Sequence, residues 1–150
     1  MILSKSCVYG LRASVYLASK KNDDFITIRK LSGDLNISFH FLTKVLQQLT
    51  KAEILESYKG PNGGVKLAKP AHTVSFLDVV ISIDGKYMLS ECILGLPVCG
   101  ELKPCPLHGE WSELKDNLRY MMANVTLEDL SMRHGKKPVD QPVPRFAAKV

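Results

Sequence analysis

The sequence predicts a mostly α-helical chain with one small β-hairpin, arranged as a winged helix-turn-helix followed by a long dimerisation helix. Three observations carry this expectation. Two short amphipathic segments joined by a tight turn run directly into two β-rich segments that flank Gly60-Pro61-Asn62-Gly63-Gly64. A loop rich in cysteine, glycine and proline spans Cys92 to His108. A longer segment with near-heptad apolar spacing follows it. The expected organisation is a DNA-binding domain at 1–84, a cysteine-rich loop at 85–108, a dimerisation helix and short terminal helix at 109–132, and a disordered basic tail at 133–150.

The first helix is expected over residues 5–21, where Val8, Leu11, Val15 and Ala18 recur at spacings of three and four and make one apolar stripe. Lys20 and Lys21 then fall in its last turn, where cations suit the helix dipole, and Asn22-Asp23-Asp24 ends it. Cys7 near its start reads as a small buried residue. Thr27 caps a second helix with Ile28, Leu31 and Leu35 facing inward, and Gly33-Asp34-Leu35-Asn36 closes it. Ser38 caps a third helix over 39–51, with Leu42, Val45, Leu46 and Leu49 as its buried stripe. Its outer face carries His40, Thr43, Lys44, Gln47, Gln48 and Lys51.

Such a pair is either an ordinary helical hairpin or a helix-turn-helix, whose second helix enters the major groove of DNA. The next residues favour the second reading. Strands are expected at 54–59 and 65–69 around the glycine-rich turn, and a helix-turn-helix followed at once by a hairpin is a winged helix. The turn lacks the Gly-Lys-Ser/Thr ending of a phosphate loop and opens into a strand rather than a helix. His40, Thr43, Lys44 and Gln47 are the residues expected to meet bases, with Thr27, Ser38 and Lys59 on the DNA backbone.

Ser75 or Thr73 caps a fourth helix to about residue 83, and Asp84-Gly85 stops it. Over 109–124, Leu107, Trp111, Leu114, Leu118, Met121 or Met122, and Val125 approach a heptad seam, expected to pair with a second copy of the chain. Thr126 caps a last short helix, Leu127 to Met132, with Glu128 and Asp129 in its first turn. Beyond it Pro138, Pro142 and Pro144 lie among Arg133, Lys136, Lys137, Arg145 and Lys149, a composition expected of a disordered basic tail.

Of 150 residues, 45% are hydrophobic and 23% charged, as in an ordinary soluble domain. No apolar run approaches the ~20 residues of a membrane helix. Lys5 and Arg12 come too early for a signal-peptide core, so a cytoplasmic protein without membrane partners is expected. The charge is uneven. Residues 1–75 hold eleven Lys/Arg against five Asp/Glu, whereas 76–150 hold nine against ten. A basic first half points to a polyanionic partner, double-stranded DNA first. No paired carboxylates or Ser-His-Asp constellation support an enzyme.

Six residues separate Cys92 from Cys99, five separate Cys99 from Cys105, and two separate Cys105 from His108. Thiolates and an imidazole on one flexible loop are soft ligands, suited to an iron–sulfur cluster, zinc or Cu(I). The gaps are wider than the two to four residues usual in structural zinc sites and fit a larger group. Four alternatives stay open on spacing: small buried residues, a disulfide with a spare thiol, a zinc-stabilised interaction module, and a metal-free thiol redox sensor.

The stretch NISFHFLTKVLQQLTKAEILESYKGPNGGVKLAKP, together with the three later cysteines, resembles the iron–sulfur cluster regulator family of bacterial dimeric winged-helix transcription factors. The resemblance runs from about Ile2 to Val125. It implies a homodimeric DNA-binding regulator, a repressor, that senses iron–sulfur status, redox state or nitric oxide. It also implies one cluster per subunit on Cys92, Cys99 and Cys105. His108 matches the position from which the cluster-biosynthesis regulator supplies a fourth ligand. In the nitric-oxide-sensitive repressor an acidic residue near the partner's N-terminus serves instead; Val8 stands there and cannot ligate, with Cys7 as its neighbour. A three-Cys, one-His set resembles a [2Fe–2S] site more than the [4Fe–4S] site some members hold. The sequence departs from the family at four points: the longer first cysteine gap, Thr43 for glutamate, Lys59 for arginine and Asn62 for glycine.

Overall fold

Several helices begin where a hydroxyl takes up an orphan amide. In a computed structural model, which describes residues 2–20 and 24–134, Ser4 caps α1 (Lys5–Ala18) by accepting from the Cys7 amide. This helix stops short of the expected 21, because Ser19 is its C-cap and its hydroxyl donates back to the Tyr16 carbonyl at 2.6 Å. Lys20 is therefore not in the last turn but lies over the Tyr16 ring, 4.1 Å from its centroid. Lys21, Asn22 and Asp23 lie outside the described residues.

Thr27 caps α2 (Ile28–Leu35), accepting from the Lys30 amide at 3.2 Å, and Asn36 closes it in the left-handed region. The third helix, α3 (Phe39–Lys51), has the expected bounds. Its cap differs, since Ser38 holds the N-cap position but makes no side-chain capping bond. The turn is secured by Ser32 instead, whose hydroxyl donates to the Ile37 carbonyl at 2.6 Å while the Ile37 amide donates to the Ser32 carbonyl.

The wing is an antiparallel pair, β1 (Leu55–Tyr58) and β2 (Gly64–Leu67), in the register Leu55↔Leu67 to Tyr58↔Gly64. Each strand is shorter than expected, and Lys59 lies just past β1 in the turn. Ile26 forms an isolated antiparallel bridge with Val65, exchanging hydrogen bonds at 3.0 and 2.9 Å, which ties the wing to the residue before the Thr27 cap. Glycine is required at 64, because a Cβ there would lie 2.2 Å from the Ile26 carbonyl oxygen.

After a single 3-10 turn, Ser75 rather than Thr73 caps α4 (Phe76–Asp84), in a reciprocal capping box with Asp78. A one-turn helix, α5 (Tyr87–Ser90), lies inside the segment expected to be all loop. The long helix α6 (His108–Asn124) takes in His108 itself. Thr126 and Asp129 form a second capping box at α7 (Leu127–His134). This helix runs two residues past Met132, so Arg133 and His134 belong to it rather than to a tail. The remainder of the expected tail, 135–150, lies outside the described residues.

The core joins α1, α2, α3, α4, β1, β2 and α7 through Leu11, Leu31, Leu42, Leu46, Leu49, Leu55, Val65, Val79, Val80 and Leu127. The α6 seam divides in two. Met122 is buried and Leu118 packs against the same core, whereas Leu107, Leu114 and Met121, seven residues apart, are each about half exposed. Among the described residues no helix is long and apolar enough to cross a membrane.

Candidate nucleic-acid interface and metal centre

The first candidate surface lies between α3 and the wing. Because α3 buries Leu42, Val45, Leu46 and Leu49, its opposite face turns outward beside the hairpin. The two enclose a groove of about 580 Å³, walled by Phe39 and Tyr58 and lined by Thr27, Arg29, Thr43, Gln47, Lys51 and Lys59. Four sequence-predicted residues thus converge here: Thr27 from the start of α2, Thr43 and Gln47 from α3, and Lys59 from the wing. Ser38, His40 and Lys44 are exposed on the same helix but do not line the groove. Thr43 donates its hydroxyl to the Phe39 carbonyl at 2.7 Å, so its oxygen is turned along the helix and keeps its acceptor capacity.

Sequence reasoning missed Arg29, Phe39 and Tyr58. Arg29 lies with its guanidinium 5.9 Å from the Phe39 ring centroid, and Tyr58 packs at 5.7 Å from Phe25. Arg29 was the one legible in principle, as a cation two residues past the Thr27 cap.

The second candidate is the cysteine loop. The sulfurs of Cys92, Cys99 and Cys105 lie within 4.8 Å of one another, and the three residues are half-buried. Two contacts are closer: Cys92 Sγ is 3.7 Å from Cys105 Sγ, and Cys99 Sγ is 3.3 Å from His108 Nδ1. The three sequence-predicted cysteines are therefore brought together, and His108 is brought against one of them, Cys99. Local structure does this. The Gly95 amide donates to the Cys92 carbonyl, Gly100 and Lys103 exchange hydrogen bonds in a tight turn, and the His108 amide donates to the Cys105 carbonyl. Cys7 is not part of the group; it is fully buried in the core, which removes it as a competing ligand presented at the surface.

The thiols are electrostatically distinct. Backbone N–H groups of Leu96 and Leu94, with hydrogen bonds from the Cys99 and Cys105 thiols, push Cys92 down to about 7 from the usual 9.0, against a smaller opposing effect of desolvation. Cys99 receives a backbone hydrogen bond from Cys105 that favours its thiolate, but desolvation and the neighbouring Cys105 and Cys92 thiols outweigh it and push the group up. A thiolate-prone sulfur close to two more, one of which lies against an imidazole, is a soft donor set. The 3.7 Å separation matches the edge of a tetrahedron with metal–sulfur bonds of about 2.3 Å. The residues present therefore fit a thiophilic metal or an iron–sulfur group.

Comparison with known proteins shows the family and the fold. The Rrf2 family pattern, described as an iron-dependent transcriptional regulator, matches residues 3–133. The HTH-type transcriptional regulator NsrR of Halalkalibacterium halodurans is 32% identical over 131 residues, covering 87% of this chain and 90% of that protein. NsrR of Oceanobacillus iheyensis is 30% identical over 131 residues, covering 87% and 89%. Among solved structures, CymR, the global cysteine regulator of B. subtilis, superposes with a TM-score of 0.73 over 87% of this chain and 96% of its own, at 23% identity, which shows the shared winged-helix fold. These relatives are transcription regulators, not enzymes, and the chain belongs to the Rrf2 family of transcriptional regulators.

Proposed function

We propose that this regulator is a cytoplasmic homodimeric repressor that binds an operator in double-stranded DNA. In this reading it senses iron–sulfur status, redox state or nitric oxide through a cluster held by Cys92, Cys99, Cys105 and His108. The observation that carries the sensing reading is the pairing of donors, Cys92 with Cys105 and Cys99 with His108. Three cysteines and one histidine would hold the group, and this mixed donor set is what favours [2Fe–2S] over [4Fe–4S]. Such a group would supply one-electron redox chemistry and reactivity toward small oxidants.

The chain's own residues perform the rest. Thr27, Ser38 and Lys59 hold the DNA backbone, and His40, Thr43, Lys44 and Gln47 approach base edges from α3. Leu107, Leu114 and Met121 form the exposed face that joins two copies, which sets the half-site separation at about one helical turn, ~34 Å. His108 is both a ligand and the first residue of α6, so a change at the loop is felt at the dimer face. A few kcal/mol of difference between two dimer arrangements is enough to switch operator occupancy.

The test is anaerobic purification of the full chain with an absorption spectrum, iron, sulfide and zinc analysis, followed by operator selection from genomic fragments. Iron with acid-labile sulfide, and a Cys99→Ala variant that no longer responds to air in DNA binding, are the expected outcomes. One zinc per chain without colour favours a structural metal. A metal-free protein whose Cys92 and Cys105 lose two electrons and two protons to an oxidant and form one disulfide favours thiol sensing, the reading that their 3.7 Å approach also permits.

A further inference from the structure

The residues just before Cys92 are held from outside the loop. The α5 helix is a single turn, so its last carbonyls find no partners within it. Donors on α6 take them up. The Trp111 indole N–H donates to the Glu91 carbonyl at 2.9 Å. The Lys115 ammonium reaches the Ser90 and Glu91 carbonyls, each at 3.4 Å. The Arg119 guanidinium donates to the Leu89 carbonyl at 3.0 Å. These donors are four residues apart and so share one stripe of α6. Their acceptors are three consecutive carbonyls, and the next residue is Cys92.

The other end of the loop belongs to the same helix. His108 opens α6, its amide donates to the Cys105 carbonyl at 3.0 Å, and the Trp111 amide donates to the Leu107 carbonyl at 2.9 Å. Cys105 and His108 are thus referred to α6 through the chain, whereas Cys92, sixteen positions before His108, is referred to it only through side chains.

We propose that Trp111, Lys115 and Arg119 are positioning residues that pin the Leu89–Glu91 backbone to α6 and so hold Cys92 in reach of Cys105 and Cys99. None of the three touches a donor atom. Their effect is to reduce the backbone freedom that Cys92 loses when a metal is taken up, since a preorganised ligand costs less to order. They also make a connection from Cys92 to α6 that does not run through the loop. The inference rests on the metal-centre reading and adds the residues that set its first ligand.

The test uses full-length, reduced, metal-free protein titrated anaerobically with Co(II), read by thiolate-to-cobalt charge-transfer and ligand-field absorption. Wild type, Arg119→Met, Arg119→Lys, Trp111→Phe and Cys99→Ser are compared, with thermal unfolding of the metal-free forms alongside. Loss of one such hydrogen bond should weaken Co(II) binding by about five- to tenfold in Arg119→Met and Trp111→Phe. Arg119→Lys, which keeps a cationic donor, should recover most of the loss. A purely structural role would lower the unfolding midpoint without moving the Co(II) affinity or spectrum. Wild-type affinity and spectrum in both Arg119→Met and Trp111→Phe therefore overturn the positioning role while leaving the metal centre intact. Identical Co(II) spectra for wild type and Cys99→Ser overturn the metal-centre reading, and the positioning role with it. If Arg119→Met does not fold, Trp111→Phe, which keeps the aromatic packing, decides alone.

Discussion

Burial sorts the four cysteines into two chemical kinds. Cys7 has no exposed surface, and burial first, then the charge of Asp84 and a hydrogen bond to it, pushes its thiol up to about 12. Cys92, with backbone N–H groups aimed at its sulfur, lies near 7. Reduced, metal-free protein should therefore be alkylated by iodoacetamide first at Cys92, with a rate that climbs through pH 7 rather than pH 9. Cys7 should stay unmodified until the protein unfolds; peptide mass mapping reads both. The sign for stability follows from the raised value. The unfolded Cys7 thiol ionises near 9.0 and the folded one near 12, so its contribution is full below pH 9 and declines as pH climbs toward 12. Urea midpoints across that range should fall less steeply in Cys7→Ala than in wild type.

At the scale of elements, the wing depends on one contact that no other residue type permits. A methyl group on Gly64 would meet the Ile26 carbonyl at 2.2 Å, and that carbonyl is one half of the bridge joining the wing to the start of α2. Gly64→Ala should lower stability by about 2 kcal/mol, and should weaken DNA binding more than it weakens folding, because Thr27 and Lys59 lose their common frame. Thermal unfolding and mobility-shift titration separate the two effects. On α6 the exposed residues Leu107, Leu114 and Met121 repeat every seven positions, whereas Leu118 and Met122 are committed to the core. Leu114→Glu should shift the protein to monomer in sedimentation while leaving its helical content unchanged, and Leu118→Glu should unfold it.

For the whole molecule the charge distribution sets the expected behaviour. The first half carries eleven cationic against five anionic side chains, and the groove between α3 and the wing presents Arg29, Lys51 and Lys59. If a dimer neutralises six phosphates, log affinity should fall with log salt at a slope of about −5. Lys59→Ala should make that slope shallower by roughly two per dimer without changing the preferred sequence, whereas Gln47→Ala should relax the preference and leave the slope alone. Mobility shifts at several salt concentrations measure both.

The apolar periodicities, the Thr27 and Thr126 caps, the bounds of α3, and the wing with its glycine turn could be read directly, because each is encoded by residues within a few positions of one another. The candidate donors Cys92, Cys99, Cys105 and His108 were legible for the same reason, as unusual residue types crowded on one loop. Tertiary structure decided what spacing cannot express. A three–four repeat records that residues are apolar but not what they face, so the α6 pattern merged a core stripe with an exposed one. Ser38 has the composition of a cap, yet Ser32 secures that turn through a contact five residues away. The pairing of Cys92 with Cys105 and of Cys99 with His108 depends on how the loop folds. The contacts of Trp111, Lys115 and Arg119 with carbonyls 20 to 30 residues earlier leave no local trace, because any backbone carbonyl accepts a hydrogen bond whatever its side chain.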